Sequence, residues 1–195
     1  RRLELRTASA RVREAIAGAA RATTPDELRG QEGIGTRSYF GAFKQLVRVS
    51  DMRMAGRNRR PPRDPVNAML SFLYALLLND CISALTTAGL DPAVGFLHTD
   101  RPGRPGLALD LMEEFRPILA DRTALALINR RQITTEDFEH QEGGSVTLTA
   151  AARRTVIAAY HDRCSEEVKH PLLSERARLA QFPFIQARLM ARHLR

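Results

Sequence analysis

The stretch from Pro65 to Leu78, PVNAMLSFLYALLL, is apolar on nearly every side of a helix, so a fold that contains it must cover it on all sides. Asp64 and Pro65 supply an N-cap and a first helical residue. Gly89 supplies a residue past the C-terminus that suits a left-handed cap. The strongly apolar run, Val66 to Leu78, is too short to span a bilayer. A buried central helix is therefore expected, with the rest of the 195 residues arranged around it as one domain or two small ones.

The flanking segments are also helical in pattern. Leu3 to Arg21 carries Val12, Ala15, Ile16 and Ala19 at helical spacing. Thr24, Pro25 and Glu27 read as N-cap, first turn and capping-box acid of a helix reaching about Val47, with Tyr39, Phe40, Phe43 and Leu46 as its apolar face. Gly30, Gly33 and Gly35 fall inside it, each costing about 1 kcal/mol relative to Ala, which predicts a close approach to the backbone around Glu32. DLMEEFRPILADRTALALINRRQI reads as two helices broken at Pro117, and DFEHQEGGSVTLT as a short hairpin around Gly143 and Gly144. A helix is expected from Ala150 to about Glu167. A basic helix follows from about Ser174 to the end, interrupted at Pro183. The fold class is mainly α with a short β-hairpin, divided into a linker or first helix over 1–22 and a helical domain over 23–195.

Charge narrows the partners. The net charge of +8 and pI near 10.6 point to a polyanion. Of the 30 basic residues 28 are Arg, which suits bidentate phosphate contacts, although a GC-rich genome gives the same bias. The connector RNRRPPRDP, residues 57–65, concentrates Arg57, Arg59, Arg60 and Arg63. These read as phosphate contacts, with a solvated linker as the alternative. Arg116 either contacts that polyanion or neutralises Glu113. No secretory signal pattern is present. Cys81 and Cys164 lack metal-site spacing and read as reduced structural thiols of a cytosolic protein.

In GFLHTDRPGRPGLALDLMEEF, residues 95–115, a histidine ends an apolar run, a Pro/Gly-rich loop follows, and Asp110 and Glu113 then share a helix face. Imidazole with carboxylates suits Mn²⁺, and tolerates Mg²⁺, better than it suits structural zinc. A hard divalent ion beside a basic surface is the apparatus of phosphodiester chemistry. On spacing alone, a satisfied core histidine and a solvated acidic face explain the same residues.

RRPPRDPVNAMLSFLYALL, GLDPAVGFLHTDRPGRPGLALDLMEEFRP and LRGQEGIGTRSYF together resemble the CRISPR-associated integrase that inserts new spacers, the Cas-one family, over most of residues 20–195. The resemblance implies a helical catalytic domain with one Mg²⁺ or Mn²⁺ site. The family's G-x-E-G element matches Gly30 to Gly33, its G-F-[LV]-H element matches His98, and its D-x-x-[DE] element matches Asp110 and Glu113. The implied ligands are Glu32, His98 and Glu113, with Asp110 as a further ligand or as a group orienting one; Glu114 is the lesser substitute for Glu113. Activity is expected to fall as acid protonates His98.

The implied reaction is transesterification of a protospacer 3′-hydroxyl into the CRISPR repeat. A hydrolytic metal-dependent endonuclease and a non-catalytic helical DNA-binding module are the alternatives. Tyr39 and Tyr74 read as core rather than as nucleophiles. The implied partners are double-stranded DNA, a second copy of the chain as a homodimer, a small Cas-two-type protein and a fused or associated Cas-four-type nuclease, in the cytoplasm and with no membrane. Starting at Arg rather than Met, and without the family's N-terminal β domain, the chain reads as a fragment. Phe182, Phe184, Ile185, Leu189 and Met190 read equally as local core and as an interface formed by the segment 174–195.

Overall fold

The computed structural model describes residues 2–58, 60–99, 101–171 and 173–194. Its helices are α1 (Arg2–Ala19), α2 (Pro25–Leu46), α3 (Pro65–Thr87), α4 (Gly106–Glu113), α5 (Arg122–Asn129), α6 (Ala150–Ser165) and α7 (Phe182–His193), with a π-helical turn, Arg116–Asp121, between α4 and α5. Strands β1 (Phe138–His140) and β2 (Val146–Leu148) form one antiparallel hairpin, and β3 (Glu167–Lys169) and β4 (Arg176–Arg178) form another.

Helix α3 is the centre. The Asp64 carboxylate accepts the Asn67 backbone N–H at 2.8 Å, and Pro65 occupies the first turn. Leu70, Leu73 and Leu77 are fully buried, each contributing about 1.5–3 kcal/mol by leaving water. With its 23 residues α3 is, by length and composition alone, apolar enough to cross a membrane. Here α4, the π turn, α5, α7 and β2 pack around it and cover that surface. Cys81 and Cys164 are buried and unbonded, and burial pushes their thiols up to about 12 and about 11, which makes both poor nucleophiles.

The two helices expected on either side of Pro117 are α4 and α5. Pro117 lacks the N–H that would bond the Glu113 carbonyl; α4 ends at Glu113, and the chain passes through the π-helical turn before α5 begins. Two expectations need correction. The basic helix expected from Ser174 begins only at Phe182, because Pro171 and a left-handed Ser174 (φ 58°) turn the chain back into the β3–β4 hairpin. Pro183 sits in the first turn of α7, where a missing N–H costs nothing. Finally, a Cβ on Gly30 or Gly33 would meet nothing within 4 Å. The close approach lies across the α1–α2 seam, where a Cβ on Gly18 would stand 2.5 Å from the Gln31 side chain.

The C-terminal apolar set divides. Phe182 is buried and Met190 packs on the core, whereas Phe184 and Leu194 are exposed.

Candidate metal centre

The histidine loop is clamped onto the start of α4. The Pro92 carbonyl accepts the N–H groups of Leu107 and Ala108 at 2.9 and 3.2 Å, satisfying first-turn donors that no side chain caps. A Cβ on Gly95 would stand 2.5 Å from the His98 carbonyl oxygen and 2.9 Å from the Gly106 carbonyl carbon. Both obstacles are backbone. Gly95→Ala is therefore expected to destabilise the domain by about 1–3 kcal/mol, while Gly33→Ala, in open space within a helix, should stabilise it by about 0.5–1 kcal/mol. Chemical denaturation of both variants checks the pair; equal stabilities would show that the loop is not pressed against α4 as described.

Asp110 holds the loop electrostatically. Its Oδ2 accepts the backbone N–H groups of Phe96 and Leu97 at 2.7 and 3.0 Å. Its Oδ1 accepts the His98 N–H at 3.1 Å and faces His98 Nδ1 at 2.6 Å. Burial alone would raise the Asp110 carboxyl, but the bonds from His98 and from the Leu97, Phe96 and His98 backbone outweigh it and hold it below the ordinary range. With Nδ1 engaged, Nε2 is the imidazole nitrogen that no described residue bonds.

Glu113 lies one turn after Asp110, and its Oε1 pairs with Arg116 Nη1 at 2.5 Å. Glu114 points elsewhere, accepting from Gln186 of α7 at 2.8 Å. Helix α2 approaches from the other side, with Arg29 donating to the Leu97 carbonyl at 3.1 Å. Glu32 follows one turn later, exposed and without a hydrogen bond or ion pair to any described residue. It shares its helix face with Tyr39 and Phe43, two and three turns on. The structure thus joins His98 to Asp110 and places α2 beside their loop. Among the described residues, no three His, Cys, Asp or Glu side chains are gathered closely enough to hold an ion. The donor set still fits a hard divalent cation in its chemistry: an imidazole nitrogen that no described residue bonds, whose partner nitrogen is held by a carboxylate, and carboxylates on α2 and α4.

The arginines separate into two groups. Arg57 turns inward: it donates to Asn67 Oδ1 at 2.7 Å, and its guanidinium carbon lies 5.2 Å from the Tyr74 ring centroid. Arg116 lies over the same ring at 4.9 Å. Arg60 and Arg63 are exposed, and Arg59 lies outside the described residues.

Sequence reasoning missed Asp121. It is 2% exposed, and it accepts from Tyr39 at 2.5 Å and Tyr74 at 2.7 Å. Burial raises its carboxyl against the opposing effect of those hydroxyls and of Arg116 and Arg57. The available signal was two tyrosines on apolar faces, each needing an acceptor, and one acid inside the apolar run RPILADRTALALI.

A family model described as CRISPR associated protein Cas1 matches residues 1–162. A CRISPR-associated endonuclease Cas1 of Rhodospirillum rubrum is 58% identical over 178 residues, covering 90% of this chain and 52% of that protein. A Cas4 exonuclease/Cas1 endonuclease fusion of the same organism is 48% identical, over 89% of this chain and 31% of the fusion. The chain thus spans about half the length of the first of these relatives, and less of the second. Among solved structures, a casposase bound to integration product superposes with a TM-score of 0.85 at 26% identity, over 93% of this chain and 51% of the casposase. A partial Cas6-RT-Cas1–Cas2 complex gives 0.85 at 29% identity, over all of this chain and 57% of the matched one.

Proposed function

This chain belongs to the CRISPR associated protein Cas1 family, and from that premise we propose that it carries the metal-dependent active site of a DNA integrase, joining a protospacer 3′-hydroxyl to a phosphodiester of the CRISPR repeat. The observation that carries this reading is the His98–Asp110 pair, 2.6 Å apart on a loop locked to α4. A carboxylate on Nδ1 fixes the tautomer that presents Nε2 as a ligand.

Glu32, His98 and Glu113 would hold Mg²⁺ or Mn²⁺, with Asp110 orienting His98. All four Asp110 contacts face the histidine loop, which favours orientation over ligation. With the ion bound, the site gains Lewis-acid stabilisation of the phosphoryl oxygens. Arg116 pairs with Glu113 and neutralises its charge. One P–O bond forms to the incoming 3′-oxygen as another breaks to the departing 3′-oxygen of the repeat. The number of phosphodiesters is conserved, so neither ATP nor a covalent protein intermediate is required.

Inserting a fragment by both ends needs two such sites held a fixed distance apart, which calls for a homodimer within a larger assembly. A Cas2-type partner is supported by the Cas1–Cas2 complex among the structural neighbours, and a Cas4-type nuclease by the fusion relative. Such an assembly works on cytoplasmic DNA.

The test supplies the full-length protein with duplex DNA bearing a free 3′-hydroxyl and a repeat target, in Mn²⁺, Mg²⁺ or chelator. Joined strands that depend on the ion and on the 3′-hydroxyl are expected. Ion-dependent breakage without joining would leave the hydrolytic endonuclease, and binding alone would leave the non-catalytic module. Salt supplies a second measurement. Exchanging exposed Arg60 and Arg63 for Gln should weaken binding to unrelated duplexes equally and reduce the slope of log K against log salt by about 2. An unchanged slope would reduce the connector to a solvated linker.

A further inference from the structure

Helix α2 packs along its length on α1 and has few backbone approaches to other elements. It reaches the body of the domain through Arg29, through the aromatic run Tyr39, Phe40 and Phe43, and, at its C-terminal end, through the Leu46 carbonyl, which accepts from Asn129 at 2.9 Å. Yet α2 carries Glu32, while His98 and Glu113 lie on the other side of that junction. Something must set the spacing between the two halves of the site.

We propose that Asp121 is a positioning residue of the metal centre: its buried carboxylate holds Tyr39 of α2 and Tyr74 of α3 at once, and so sets where Glu32 stands relative to His98 and Glu113. The inference rests on the reading of Glu32, His98 and Glu113 as ligands and adds a residue that fixes the helix carrying Glu32. Two observations support it. Each Asp121 oxygen takes one tyrosine, Oδ2 from Tyr39 at 2.5 Å and Oδ1 from Tyr74 at 2.7 Å, so neither bond is redundant. The connection then continues to the acid side of the site. The Tyr74 ring lies under Arg116, 4.9 Å from its guanidinium carbon, and Arg116 holds Glu113 at 2.5 Å. Glu32 shares its helix face with Tyr39, so tilting α2 about the Tyr39 contact moves Glu32 directly. The π-helical turn gives this arrangement its geometry, because Arg116 and Asp121 are its first and last residues. One distorted turn thereby presents a cation to Glu113 and a carboxylate to α2.

The experiment measures Mn²⁺ binding to the full-length protein by calorimetry, without DNA, for Tyr39→Phe, Asp121→Asn and Tyr160→Phe. Tyr39→Phe removes one hydroxyl and no bulk. Asp121→Asn keeps the shape but leaves one tyrosine facing an amide donor. Tyr160→Phe removes a comparable hydrogen bond, Tyr160 to Asp80 at 2.6 Å between α6 and α3, which involves neither Asp121 nor α2, and reports what lost stability alone does. The expected result is a fall of about 10- to 100-fold in Mn²⁺ affinity for Tyr39→Phe and Asp121→Asn, no change for Tyr160→Phe, and unchanged duplex binding in chelator for all three. Wild-type affinity in folded Tyr39→Phe, while Glu32→Gln loses the ion, overturns the positioning role and leaves the ligand assignment standing. Wild-type affinity in Glu32→Gln and His98→Ala as well overturns the ligand assignment itself.

Discussion

His98→Ala abolishes metal-supported strand joining and cleavage, with an expected loss of about 1,000-fold or more, while the protein stays folded and still binds duplex DNA in chelator. The separation of these effects follows from the loop's construction. Three of the four contacts to Asp110 come from backbone N–H groups, of Phe96, Leu97 and His98, and survive removal of the ring. The Pro92 carbonyl still caps α4, and the Gly95–Gly106 contact is untouched. What disappears is the imidazole alone. A loss of 1,000-fold corresponds to about 4 kcal/mol of transition-state stabilisation, within what a bound cation contributes to phosphoryl chemistry. Single-turnover cleavage and joining assays, with calorimetric Mn²⁺ binding beside them, check the result. Near-wild-type turnover would make His98 a structural partner of Asp110 and nothing more.

The pairing of the histidine loop with Asp110 was legible because the two are close in sequence. The span of 12 residues from His98 to Asp110, with prolines and glycines between, folds back over a single helix face, and a spacing argument reaches that far. The central helix was legible for a similar reason: apolar residues on every side leave it one place to be. Asp121 was not legible. An acid in an apolar run reads as a solvent-facing position, and its real environment depends on tyrosines 82 and 47 residues away. The β3–β4 hairpin also escaped, since strands of three residues, four of their six side chains charged, carry too little alternation to compete with a helical reading. The internal contacts of Arg57 were not legible either: its place in an arginine-rich connector suggests a phosphate contact, and the sequence gives no sign that Asn67 and two aromatic rings also engage it.

Asn67 carries the largest expected effect on stability. It is fully buried in the first turn of the most apolar helix of the chain, where a polar side chain is costly unless every group finds a partner. Here all do. Its Oδ1 accepts from Arg57 Nη1 at 2.7 Å and from the Asn58 N–H at 3.1 Å, and its Nδ2 donates to the Gly56 carbonyl at 2.8 Å and to Asp64 at 2.6 Å. One amide therefore ties the connector 56–64 to the end of α3. Asn67→Ala leaves a backbone N–H and a backbone carbonyl without this partner and takes one acceptor from the Arg57 guanidinium, which keeps the Asn58 carbonyl and Ser71. An unsatisfied buried group costs about 1–3 kcal/mol, and more when charged. Partial relaxation of the connector brings the expected total to about 3–5 kcal/mol. For a chain of this size that is a fall of about 10 °C in Tm. The loss should extend beyond stability, because the connector that Asn67 anchors also displays Arg60 and Arg63: duplex binding at moderate salt should weaken even where the variant is fully folded. Thermal unfolding and duplex titration below the transition check the two parts. A variant within 1 kcal/mol of the wild type would mean that the connector holds its path without this amide, and that Asn67 is packed there rather than anchoring it.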